Sequence, residues 1–87
     1  MKGPSWPVDP SNIVTEKCFV TKTNQVRKVT EIVNGHVNYL SRGAKSNMSW
    51  DFGPSKSAWP SIDDFASEVD REVRCDWDKD HSESKPS

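Results

Sequence analysis

The chain has 87 residues, enough for one small domain that buries only about 60% of the surface its unfolded form would expose. It is polar, with 32% hydrophobic residues, a mean hydropathy of -0.84 and a formal net charge of -1. No apolar run approaches the roughly 18 residues of a membrane span, and the N-terminus lacks the apolar centre of a secretory leader. A cytoplasmic protein is therefore expected, with no membrane role.

The opening "MKGPSWPVDPSN" holds three of the six prolines. Residues 1–11 read as a flexible proline-rich arm. Residues 12–23, "NIVTEKCFVTKT", are rich in Val, Ile, Thr and Phe and predict a first strand. The pieces "VRKVTEIV" (26–33) and "HVNYLSRG" (36–43) flank Asn34-Gly35, the pair that a two-residue hairpin turn favours. With that loop, simple counting sets Ile32 opposite Val37, Thr30 opposite Tyr39, Val29 opposite Leu40 and Arg27 opposite Arg42. Ile32, Val37, Thr30, Tyr39 and Val26 then share one apolar face. Val29 and Leu40 form an island on the other face, among Glu31, Asn38, Arg27 and Arg42.

Further along, "NMSWDF" suggests a short fourth strand and "GPSKS" a turn. The clearest helix is "PSIDDFASEVDREVRCDW". Ser61 is its N-cap, with Asp64 three residues on, and Asp63 and Asp64 suit the positive end of the helix dipole. Ile62, Phe65, Ala66, Val69 and Val73 recur at helical spacing, with Trp77 extending the stripe. The globular domain is thus expected over 12–77, with a disordered acidic and polar tail over 78–87. The fold class is α+β: a three- to four-stranded antiparallel sheet with one C-terminal amphipathic helix.

Charge divides unevenly along the chain. Residues 1–60 carry eight Lys/Arg against four Asp/Glu, and residues 61–87 carry four against nine. A basic sheet with an acidic helix and tail would be dipolar. Cys18 and Cys75 make no disulfide framework and read as free thiols in a reducing cytosol, a bridge being the alternative if the chain is secreted.

The common catalytic signatures are missing. There is no G-x-x-x-x-G-K-[ST], G-x-G-x-x-G or G-x-S-x-G motif. Two cysteines and two histidines match no zinc spacing. "DWDKDHSE" has Asp76, Asp78 and Asp80 but His81 where a calcium loop requires Gly. Asp63 and Asp64 are accounted for by helix capping. The expectation is a non-enzyme without a cofactor or metal.

What remains is aromatic and basic. Trp50 and Trp59 read partly as core bulk. Trp6, Tyr39, Trp50 and Trp59 are the candidates for contact with a protein partner or for self-association. Arg27, Lys28, Arg42 and Lys45 form the alternative, a basic sheet face for nucleic acid.

The order "VRKVTEIVNGHVNYLSRG" followed by "SIDDFASEV" resembles small bacterial, phage and mobile-element proteins with SH3-like or Tudor-like β-folds. The likeness covers residues 20–70. It implies an SH3-like tendency in the sheet and a binding module rather than an enzyme, and it carries over no catalytic residue. The longer helix and acidic tail depart from that pattern.

Overall fold

A computed structural model describes residues 8–79. Four strands, β1 (Cys18–Thr21), β2 (Val26–Val33), β3 (His36–Arg42) and β4 (Val69–Val73), form one antiparallel sheet in the order β3-β2-β1-β4. The helix α1 (Ile62–Glu68) precedes β4. The sheet is open, with β3 and β4 at its edges. The α+β class and the antiparallel sheet thus follow the sequence reading, while several boundaries do not.

The first strand is shorter than expected. Glu16 takes a left-handed φ of 73°, which breaks the extended run before Lys17, and residues 10–12 form a 3-10 turn. Val8 lies inside the stretch assigned to the arm, yet it is buried with Ile13 in the core. All four residues of β1 are buried, so this strand needs cover on both faces and a partner on both edges.

The second partner of β1 is not "NMSWDF", which contributes only an isolated bridge between Asp51 and Ser41. It is β4, drawn from the second half of the expected helix. The helix starts as its sequence dictates: the Ser61 hydroxyl accepts from the Asp64 N–H at 3.1 Å. It stops at Glu68 because Val69 turns extended, with its N–H donating to Phe65. Val69 and Val73 suit helical spacing, but they are β-branched and flank a charged triplet. Pairing with buried β1 wins over another turn of helix.

The hairpin turn is as read, with Asn34 and Gly35 at φ of 52° and 77°. Its register is not. Val33 pairs with His36, Ile32 with Val37 and Glu31 with Asn38, but Val29 pairs with Tyr39, leaving Thr30 as a β-bulge. The Thr30 hydroxyl donates to the Asn38 carbonyl at 3.2 Å. One extra residue exchanges the faces of everything before it on β2. Val29 therefore joins the helix-side core, while Val26 leaves for the opposite face. Arg27 pairs with Ser41 and Arg42 with Val26, so no like-charge pair forms.

The sheet consequently has two apolar layers. On one side Phe19, Val29, Val37, Phe65, Ala66 and Val69 pack with Val8 and Ile13. Phe65 meets Phe19 and Tyr39 edge-on, with centroids 5.8 and 5.4 Å apart. On the other side Cys18, Val20 and Val26 pack with Trp77, flanked by Trp50 and Val73.

Cys18 and Cys75 are joined in a disulfide, with Cα atoms 5.1 Å apart. This corrects the free-thiol reading. Cys75 follows β4 rather than ending a helix, and the pairing of Val73 with Cys18 brings it beside β1.

Candidate functional site

The segment 51–61 runs along the outer edge of β3. Asp51 and Ser41 exchange main-chain hydrogen bonds of 3.0 and 2.7 Å, and the Val37 N–H donates to Pro60 at 2.8 Å. Between these anchors Gly53 lies so close to Tyr39 that any side chain there would overlap the Tyr39 carbonyl. The edge is thereby covered, as exposed sheet edges usually are. At the start of this segment, Phe52 is 95% exposed. A phenyl ring so fully hydrated forgoes about 1.5–3 kcal/mol of burial. It is the most exposed large apolar side chain among the described residues, with Met48 next at 49%.

The expected aromatic contacts are distributed differently. Tyr39 is half-buried, packed on Phe65 and covered by the Arg27 guanidinium 4.7 Å from its ring centroid. Trp50 is half-buried against the second layer, with Arg42 at 5.1 Å. Trp59 is half-buried at the end of a 3-10 turn, with the Lys56 ammonium at 5.7 Å. Trp6 lies outside the described residues, as do Asp80 and His81. Phe52 escaped the sequence reading because it was assigned to a strand. The signal available was its place directly before the Gly53-Pro54 breaker pair.

The basic residues do not share a face. Arg27 lies on the helix side, where it bonds to Gln25 at 2.8 Å and pairs with Glu68 at 2.8 Å. Lys28 points to the opposite side and reaches Glu16 at 3.7 Å. Lys17 pairs with Glu72 at 3.0 Å. Cations of the sheet and acids of the α1–β4 stretch therefore interleave, which erodes the dipole suggested by the linear charge split. Such surface pairs contribute little stability each. Lys45, in the loop after β3, lends its carbonyl to Arg42.

Arg42 is turned inward and only 3% exposed, which removes it from any polyanion-binding surface. Its Nη1 donates to Gly43 and Lys45 at 3.0 and 2.8 Å, and its Nη2 to Cys75 and Trp77 at 2.9 and 2.7 Å. All four acceptors are main-chain carbonyls, a geometry that the planar guanidinium fork provides and an ammonium does not. Burial lowers its pKa, while Asp78 and Asp76 pull in the opposite direction. The group stays charged, because its ordinary value lies so far above neutrality. Asp9 is held below its usual pKa by the Ser11 N–H and hydroxyl, both at 2.9 Å.

Among the described residues no three His, Cys, Asp or Glu side chains gather as a metal site would require. No helix among the described residues is long and apolar enough to cross a membrane. No protein-family model matches the chain, and neither a curated protein nor a solved structure matches it.

Proposed function

We propose that the protein is a non-catalytic interaction module that engages a protein partner, or a second copy of itself, through the covered β3 edge. The observation that carries this reading is Phe52. It stands 95% exposed on a segment whose neighbours are fixed by main-chain bonds to β3. An apolar ring on a segment tied at both ends to β3 offers burial to a partner at little cost in loop entropy. Trp59 belongs to the same segment, half-buried at its far end with the Lys56 ammonium over its ring. The likeness to SH3-like and Tudor-like modules belongs to this proposal and agrees with a small sheet used for binding.

The nucleic-acid alternative has less support. Arg42 is buried, Arg27 and Lys28 lie on opposite faces, and both are paired with carboxylates. The test is affinity capture with the tagged chain, with and without nuclease, alongside Phe52→Ser and Lys28→Ala/Lys45→Ala variants. Analytical ultracentrifugation of each variant detects self-association. The proposal expects a protein contact that resists nuclease and depends on Phe52. Binding lost with nuclease and falling steeply with salt would replace it by the nucleic-acid reading.

A further inference from the structure

The apolar layer opposite α1 is covered by a short strap, residues 74–79, that belongs to no helix or strand. Its ties are few. Trp77, 4% exposed, packs on Cys18, Val20 and Val26. The carbonyls of Cys75 and Trp77 accept from Arg42, the Lys79 N–H donates to Ala44 at 2.9 Å, and the Asp78 carboxylate accepts from Ser46. Apart from Trp77, those non-covalent ties run to residues 42–46 at the end of β3 and the loop beyond it. The one covalent tie runs to the centre of the sheet, through Cys75 to Cys18.

We propose that the Cys18–Cys75 bond is a thiol-operated latch whose reduction releases the strap and uncovers the layer formed by Val20, Val26 and Trp50. Two features make strap closure finely balanced without the bond. The first is Arg42. Closing the strap takes a guanidinium out of water and satisfies it with carbonyl dipoles instead of a hydrogen-bonded carboxylate, an expensive exchange. Opening returns it to water. The second is Cys18, which is 1% exposed. Two thiols cannot sit as close as two bonded sulfurs, and with Cys18 buried the separation falls on the half-exposed Cys75 and the strap that carries it.

The bond is also placed to be cut from one side. Cys75 is half-exposed while Cys18 is buried. A thiolate of a dithiol reductant attacks the Cys75 sulfur, the S–S bond breaks, and Cys18 leaves as a thiolate that takes up a proton. The second thiol of the reductant then displaces Cys75, which departs and is protonated. The protein gains two electrons and two protons, and the reductant becomes a disulfide. Disulfides in a reducing cytosol are characteristically transient and sensing, so a latch accommodates this bond in the compartment expected for the chain. The inference does not depend on binding through Phe52.

Hydrogen exchange followed by mass spectrometry tests the latch on the full chain: oxidised, reduced with a dithiol and then reoxidised, with a Cys18→Ser/Cys75→Ser variant as the permanently unlatched form. Reduction is expected to speed exchange in residues 74–79 and 43–46 by roughly tenfold at least, to near the unprotected rate, while the β2–β3 hairpin stays protected even though the fold as a whole is less stable. Reoxidation restores protection, and the variant matches the reduced form. Unchanged exchange in 74–79 would overturn the latch. So would simultaneous loss of protection across the hairpin, which would make the bond a staple for the whole fold. A bond that stays oxidised in excess reduced glutathione would also overturn it.

Discussion

Arg42 joins β3, the following loop and the C-terminal strap, so its replacement should damage the fold out of proportion to one side chain. In Arg42→Ala the Trp77 carbonyl loses a donor 2.7 Å away within the buried layer, at about 1–3 kcal/mol. The cation over Trp50 contributes about 0.5–1 kcal/mol. The vacated stem adds about 1 kcal/mol through lost packing. The carbonyls of Gly43, Lys45 and Cys75 lie nearer solvent and recover part of their loss from water. The sum is about 3–4 kcal/mol, the loss coming from stranded carbonyls and lost packing rather than from a stranded charge. For a domain of this size it lowers Tm by roughly 12–30 °C. Arg42→Lys keeps the stem but not the fork, and should lose about 1–2 kcal/mol. Urea unfolding followed by tryptophan fluorescence, with the disulfide intact in every sample, measures these differences. An Arg42→Ala protein within about 1 kcal/mol of the parent would refute the reasoning.

Removing the covalent link in Cys18→Ser/Cys75→Ser releases a constraint across 57 residues of sequence. Chain entropy then predicts a loss of about 4 kcal/mol, read as a lower urea midpoint with the hairpin still folded. Gly53→Ala drives a methyl group into the Tyr39 carbonyl, and should lose about 1–3 kcal/mol by forcing the β3 edge open. Gly35→Ala meets open space but keeps a φ of 77°, so about 1–2 kcal/mol is expected from strain alone. Ser61→Ala removes the cap on the Asp64 N–H and should lower stability by about 1 kcal/mol. Thermal melts of the three variants rank them.

Local chemistry was legible in the sequence wherever it acts over a few residues. Asn34-Gly35 announced the turn, and Ser61 with Asp64 announced the helix start. Elements were lost where distant pairing overrode local pattern. Val69 and Val73 satisfy helical and strand periodicity alike, and only the buried, half-partnered β1 decides between them. The bulge at Thr30 has no sequence signature beyond a hydroxyl able to reach the Asn38 carbonyl, yet it exchanges the faces of Arg27, Val29 and Val26. That single insertion parts Arg27 from Arg42, whereas Arg27 and Lys28, consecutive on a strand, face opposite sides with or without it. Arg42 resembled any surface arginine, because the four carbonyls that hold it come from positions 43, 45, 75 and 77. The pairing of Cys18 with Cys75 likewise depends on β4 lying beside β1. Phe52 was readable in principle, as a phenylalanine directly before a Gly-Pro break.

The most direct test of the interaction-module account compares the parent with Phe52→Ser in nuclease-treated affinity capture, with ultracentrifugation of the same samples. The ring is 95% exposed, so stability should change by no more than about 0.5 kcal/mol. The account predicts that the partner, or the dimer, is lost while the thermal melt is unchanged. Full retention of the bound protein by a folded Phe52→Ser chain would contradict it.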